Sequence, residues 1–309
     1  MTITYAYLGP RGTFSEAALL ALPASQGAQL IPAQSVSTAL EMVRAGKVSG
    51  ALVPIENSVE GSVPTTLDEL AHGSILQIVD EVAIPVQFAL LVRPGTTLSD
   101  IKRISTHPHA HAQCAGWLQE NLPGVHVLPA MSTASAAAEL SEEANYDAAI
   151  ASRNAAAHYG LDILVDGIAD QSSAWTRFIL VRAPGHAQSP TGNDKTTLSL
   201  FMHEDHPGAL LEILTEFSVR GVNLTRIESR PTRKQLGDYY FSIDCEGHID
   251  EEHVGEALKG LHRICADVKF LGSYPRHEVI AYESVATDTE RAFVDADEWL
   301  TQTRQRSRD

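Results

Sequence analysis

Long apolar runs are missing from this chain, and so is any excess of positive charge. No stretch reaches the roughly 20 apolar residues that a membrane-spanning helix needs, so no span is expected. Only 23 basic residues stand against 39 acidic ones, a formal net charge of -16, which disfavours non-specific binding to nucleic acid or anionic lipid. Cys114, Cys245 and Cys265 are too few and too far apart for a disulfide framework or a CxxC pair, and read as reduced, buried thiols. The opening MTITYAYLGP has no basic region followed by an apolar one, so no signal peptide is expected. These absences point to a cytoplasmic protein with small-molecule ligands.

What is present suffices for real cores. The 309 residues are 44% hydrophobic and 20% charged, the profile of a globular chain with about two or three domains. Residues 1–182 alternate strand-like and helix-like segments, which predicts an α/β fold with sheets covered on both faces. ITYAYL leads through Gly-Pro to a helix on which Thr13 and Glu16 are spaced as a capping box. GALVPIE (50–56) reads as a buried strand, IPVQFALLV (84–92) as one long strand, 110–121 as a helix, and TRFILVR as the closing strand. If that last strand returns to the first unit, two connections join the units and the architecture is a hinged clamp with a cleft. The expected lobes are about 1–79 plus 160–182, and about 80–159. Residues 183–194, rich in Pro, Gly and polar side chains, read as a linker. Residues 195–275 follow the ferredoxin-like order βαββαβ, and 276–309 form a charged tail with room for a short helix around 290–303.

Several stretches could carry chemistry. LGPRGTFSEAA (8–18) puts Gly9 and Gly12 between a strand and a helix start, where backbone amides can approach an anion, although a plain tight turn would look the same. PIENSVEGSVP ends an apolar strand on Glu56, Asn57 and Ser58, which either face a ligand cleft or merely satisfy loop amides. His107, His109 and His111 alternate, but Pro108 breaks strand geometry and no carboxylate or cysteine pair completes a metal site. A turn before a helix is the expectation there, with acid or base work by His107 or His109 left open. In SAWTRFIL (173–180) the Thr176–Arg177 pair stands against a buried strand. A guanidinium there needs an anion. It could hold a carboxylate bidentately while the hydroxyl donates to a leaving oxygen, or it could form a structural ion pair with an Asp.

Taken in order, GPRGTFSEAA, PIENSVEGSV, THPHAHAQC and TRF, followed by GALLEIL and NLTRIESRP, resemble bacterial prephenate dehydratases with a C-terminal ACT regulatory domain. The resemblance covers about residues 3–275. It implies a two-lobed clamp similar to type II periplasmic binding proteins and a ferredoxin-like ACT domain. It further implies decarboxylative dehydration of prephenate to phenylpyruvate, in L-phenylalanine biosynthesis, with no metal and no organic cofactor. By this resemblance Thr176 is the catalytic donor, Arg177 holds the pyruvyl carboxylate, and Glu56 is a reserve acid if burial keeps it protonated. Thr13, Phe14, Asn57, Ser58, Thr133, Ser173 and Phe178 are the expected substrate-binding residues. Ser173 stands where many members carry Asn. The implied effector site lies between ACT domains of two subunits of a dimer or tetramer. It comprises Pro207, Gly208, Ala209, Leu210 and Leu211 facing Asn223, Leu224, Glu228, Ser229 and Arg230, with phenylalanine as the inhibitor. Arogenate in place of prephenate, and an amino-acid-sensing binding protein without turnover, are the alternative readings.

Overall fold

A computed structural model describes residues 3–142, 144–171, 174–185, 188–203, 206–233, 238–277, 299 and 302–306. The first sheet begins with β1 (Thr4–Leu8), β2 (Gln29–Ala33) and β3 (Gly50–Asn57), which pair in parallel in the order β2-β1-β3 with α1 (Phe14–Ala21) and α2 (Val36–Arg44) as crossovers. Thr13 caps α1 by accepting the Glu16 N–H. Glu16 reaches back one residue further than expected, to the Gly12 N–H and the Tyr7 hydroxyl. The short β4 (Gly61–Ser62) folds back on β3, α3 (Pro64–His72) follows, and β5 (Gln77–Pro85) forms the far edge.

The chain then crosses to a second sheet. It contains β6 (Ala89–Val92), β7 (Arg103–Thr106), α4 (Pro108–Gln113), α5 (Ala115–Asn121), β8 (His126–Pro129), α6 (Thr133–Ser141), β9 (Ala148–Ala151), α7 (Arg153–Tyr159) and β10 (Asp162–Asp166), with strand order β10-β6-β9-β7-β8. Finally β11 (Trp175–Arg182) returns and inserts between β3 and β5, antiparallel to both. Two crossings therefore link the lobes, as a hinged clamp requires.

Three sequence expectations need correction. Residues 84–92 are two strands, because Pro85 has no N–H to continue a ladder and the chain changes sheets at Val86–Phe88. The first lobe consequently runs through Pro85. Residues 162–166 belong to the second lobe, since β10 pairs with β6, so only β11 comes back. The helix at 110–121 breaks at Cys114 into α4 and α5.

Alternation along β11 gives the first sheet two different faces. Phe178 and Leu180 join Tyr5, Tyr7 and Leu52 beneath α1. Ile179 and Val181 join Ala51 and Val53 on the opposite face, beneath Leu40 of α2 and Leu67 and Leu70 of α3.

The C-terminal unit keeps the order read from the sequence: β12 (Asp194–Phe201), α8 (Ala209–Ser218), β13 (Leu224–Pro231), β14 (Tyr239–Glu246), α9 (Glu252–Ile264) and β15 (Asp267–Pro275). The antiparallel sheet β13-β14-β12-β15 buries Leu198, Leu200 and Ile243 with Ile213, Phe217, Val254 and Leu261 of its two helices. Its β15 packs on lobe 1, where Leu271 and Tyr274 enter the core that holds Ile78 and Ile179. Contact there is close. A Cβ on Gly272, whose φ is +141°, would lie 2.2 Å from the Ile78 carbonyl oxygen. The helix expected around 290–303 falls almost entirely outside the described residues; residues 302–306 are helical.

Candidate active site

Pro54 sits inside β3, where a residue without an N–H is tolerated only at a bulge or an edge. The bulge is present: Arg177 opposes Glu56 and Phe178 opposes Pro54, so Ile55 is the extra residue. Ile55 belongs to the core on the α2–α3 face, Glu56 turns the same way toward Arg177, and Asn57 lies opposite Thr176 on the next rung.

The Asn57 carboxamide donates to Thr176 Oγ1 at 2.8 Å. Its oxygen accepts the N–H groups of Val59 and Glu60 at 2.8 and 3.1 Å. Those two backbone donors fix which end of the amide faces Thr176, since a flipped carboxamide would oppose donor to donor. Thr176 therefore receives a hydrogen bond on its oxygen, and its own proton is directed elsewhere. Ser58 locks the same corner: its hydroxyl accepts the Trp175 N–H, and its own N–H donates to the Trp175 carbonyl, both at 2.9 Å.

Arg177 has a different destination from the one expected. Being one residue along the strand, it faces away from Thr176, toward the C-terminal unit. Its guanidinium donates to Glu56 at 3.2 Å, Glu81 at 2.9 Å and Asp244 at 2.6 Å. Glu81 and Asp244 are 1% and 0% exposed. Lys195 bonds both oxygens of Glu81, and Arg226 both oxygens of Asp244. Burial alone would lower the pKa of the Arg177 guanidinium, but Asp244, then Glu81 and Glu56, hold it well above its ordinary value. The structural ion pair with an Asp is thus the reading the geometry supports, and the substrate-carboxylate role for Arg177 is withdrawn. Glu56 also loses its reserve role, since its side chain is 42% exposed and paired with Arg177 rather than buried as an acid.

Between the lobes lies a cleft of about 940 Å³, lined by Asn57 and Gly61–Pro64 on one side and Pro108, His109 and Gln113 on the other. Glu60 bridges its mouth, 2.6 Å from His109 Nδ1 and 3.3 Å from Gln113 Nε2. The N-terminus of α3 borders this cleft without a side-chain cap, a setting that favours an anion. His107 is the cap of α4, its Nδ1 accepting the His109 N–H; burial and the neighbouring His109 ring hold its pKa below the usual value. Among the described residues no three His, Cys, Asp or Glu side chains group as metal ligands.

The remaining expected residues scatter. Thr13 is a helix cap, and Phe14 packs edge-on against Phe88 across the lobes, with ring centroids 5.6 Å apart. Thr133 opens α6 behind the Ser132 cap. Phe178 is corrected to a core residue, 2% exposed. Ser173 lies outside the described residues.

A second cavity, about 800 Å³, opens between the end of α3 and the C-terminal sheet. Gly208, Ala209, Leu210, Leu211 and Ser229 line it, with His72 and Phe201. Pro207 immediately precedes that group. Arg230 turns the other way and ties the unit to lobe 1: with Arg233 and the Tyr240 hydroxyl it binds the buried carboxylate of Asp68 on α3. Glu228 lies 3.6 Å from Arg230. Asn223 borders a recess with Glu246 and Arg276, next to Leu224 at the opposite end of β13.

Glu81, Lys195, Arg226, Asp244 and Asp68 were missed from the sequence. A signal existed for three of them, since DEV, DKT and IDC each place a charge inside an otherwise buried strand.

Two α/β lobes joined by two crossings, with a polar cleft between them and a ferredoxin-like unit docked on one lobe, define the class of clamp proteins that carry a regulatory domain. Residues 5–186 match the prephenate dehydratase family and residues 196–263 the ACT domain. A prephenate dehydratase of Mycobacterium marinum is 47% identical over 308 residues, 97% of this chain and 95% of the relative. That of Mycobacterium tuberculosis H37Rv is 44% identical over 310 residues, 98% of this chain and 94% of the relative. Among solved structures, the prephenate dehydratase from Arthrobacter aurescens in complex with L-Phe matches with a TM-score of 0.85 and 49% identity, covering 98% of this chain and all of that one. GqqA, described as a novel type of quorum-quenching acylase, matches with a TM-score of 0.80 and 33% identity over 89% of this chain and 98% of its own. The chain belongs to the prephenate dehydratase family and is an enzyme of that family, a lyase with an ACT domain.

Proposed function

We propose that Thr176 is the hydrogen-bond donor to the departing C4 hydroxyl of prephenate, in a reaction that yields phenylpyruvate, water and carbon dioxide. The observation that carries this reading is the direction of the Asn57–Thr176 bond. As the ring carboxylate leaves as carbon dioxide, its bonding electrons enter the ring and the C4–O bond breaks toward oxygen. Aromatisation drives the step, so the enzyme supplies orientation and a proton or hydrogen bond to the leaving oxygen. A threonine hydroxyl is too weak an acid for ordinary acid catalysis. With Asn57 donating to its oxygen it acts as a donor or as a relay.

With Arg177 engaged elsewhere, the substrate carboxylates meet helix N-termini instead, foremost that of α3, with the Thr13–Phe14 turn and Thr133 as flanking groups. Phenylalanine acts as feedback inhibitor from the cavity beside Gly208–Leu211. Asn223 immediately precedes β13 and Ser229 lies six residues further along it, about 20 Å away at the usual rise. A site that uses both therefore needs a second copy of the chain, which supports a homo-oligomer joined through ACT domains. Three unpaired, buried cysteines, and no described helix long and apolar enough to cross a membrane, fit a cytoplasmic enzyme.

The test is turnover of prephenate to phenylpyruvate by wild type and Thr176→Ala, with and without phenylalanine. We expect kcat to fall about 1000-fold in the variant, and wild type to be inhibited. Unchanged turnover in the variant would overturn the role of Thr176. Faster wild-type turnover of arogenate, which has the same reacting ring, would change the substrate.

A further inference from the structure

Arg177 and Glu56 occupy the rung next to Thr176 and Asn57, at the bulge where β3 carries its extra residue. A bulge interrupts the ladder locally and re-aims the side chains beside it, so what anchors this rung decides where they point. One side of this rung is fixed from outside the catalytic lobes: Asp244, on β14 of the ACT domain, lies 2.6 Å from the Arg177 guanidinium. Asp244 is itself clamped by Arg226, at 3.0 and 2.8 Å, and by the Thr197 hydroxyl, at 2.9 Å. Glu81 of β5 holds Arg177 from the neighbouring strand and is held in turn by Lys195 of β12. The fork of Arg177 thus joins β3, β5 and β14 at one point beside the reacting hydroxyl. Apolar side chains could fill the same volume at no cost in stability. What they could not do is set the direction of a planar, multidentate group.

We propose that Asp244 of the ACT domain and Arg177 are positioning residues for the reaction, holding the β3–β11 register that presents Thr176 to the cleft. The inference rests on Thr176 as the hydrogen-bond donor. It makes the ACT domain part of the catalytic geometry even when no effector is bound. Neither residue touches substrate, so loosening the cluster misplaces the donor and leaves substrate affinity alone.

Steady-state kinetics of the full-length protein without phenylalanine tests this, with Arg177→Lys and Asp244→Asn. Lysine keeps one charge but loses the fork. We expect each variant to lose about 10- to 100-fold in kcat, the scale of a small misplacement, with KM within about twofold of wild type. Asp244→Glu should recover part of the loss. Arg177→Lys with raised KM and intact kcat would overturn the proposal in favour of a substrate contact, and so would a folded Asp244→Asn with wild-type kcat. If Asp244→Asn fails to fold, Arg177→Lys with Glu81→Gln decides by the same split between kcat and KM. Full activity in Thr176→Ala would instead remove the assigned donor. That result is separable, because it needs neither cluster variant.

Discussion

Where lobe 1 meets the ACT domain, charge and apolar surface are buried together. Asp68 takes Arg230, Arg233 and Tyr240; Arg177 takes Asp244; Leu271 and Tyr274 enter the lobe's core. Where lobe 1 meets lobe 2, a cleft of about 940 Å³ stands open, bridged by Glu60 and His109, whose side chains are 39% and 62% exposed. A short packed contact remains on that side, where the Gly12 carbonyl accepts the Ser152 hydroxyl at 2.7 Å and Phe14 meets Phe88. Both junctions contain ion pairs. Only at the first are carboxylates buried, those of Asp68, Glu81 and Asp244, so only there does losing a partner leave an uncompensated buried charge. One junction is packed and largely dry, and the other leaves a cleft between the lobes.

The strongest way to break this comparison is Gly272→Ala. The added Cβ meets the Ile78 carbonyl oxygen at 2.2 Å, on a backbone with φ of +141°, so β15 must lift from β5. We expect a loss of at least about 3 kcal/mol in unfolding free energy by denaturant titration; a loss under 1 kcal/mol would show that the docked contact is pliable.

Asp68→Asn comes next, at about 2 kcal/mol, and it also carries a pH signature. Burial alone would raise the pKa of the Asp68 carboxyl, but hydrogen bonds from Arg230 and Tyr240 and the charges of Arg230 and Arg233 outweigh it and hold the pKa below its ordinary value. Asp244 is shifted the same way, deeper burial being outweighed by Arg226 and Arg177. A carboxyl whose pKa is lower folded than unfolded contributes stability above its unfolded value, near 3.9. That contribution disappears as pH falls through the folded value. Wild type should therefore lose stability below about pH 4, and Asp68→Asn should show a shallower fall in that window. Equal slopes for the two proteins would remove Asp68 from the docked junction.

The smallest effect is expected at the other junction. Glu60→Gln weakens a bridge that water already surrounds, so stability should change by less than about 1 kcal/mol. KM for prephenate should shift only a few-fold. A larger stability loss than that of Asp68→Asn would reverse the assignment of which junction is fixed.

Much of this was legible in the sequence. The βαββαβ order followed from periodicity, while the clamp was readable only on condition that the closing strand return to the first unit, as β11 does. Asn57 and Thr176 stood in motifs that close one buried strand and open another, and their expected roles came from the resemblance. Arg177 was misassigned for a reason also present in the sequence: neighbours on a strand face opposite ways, so an Arg next to the Thr that bonds Asn57 points away from it. Phe178 shares the Thr176 face but lies deeper along it, under α1, and strand alternation gives face without depth. The β5–β6 division was hidden because Pro85 lies inside a run that is apolar but for Gln87. Asp68 meets Arg230 across 162 residues and Arg177 meets Asp244 across 67, and no local pattern records such a partner.

The core shared through Leu271 and Tyr274 has a consequence for how the molecule comes apart. Residues 183–194 look like a boundary along the chain, yet the side chains on either side of it fill one interior. Cooperative units follow shared interiors rather than linkers. Lobe 1 and the ACT sheet should thus unfold in one transition, while the second lobe, with its own clusters, can open separately. Cutting the chain at the linker would leave the catalytic half with a hole in its core rather than a finished domain.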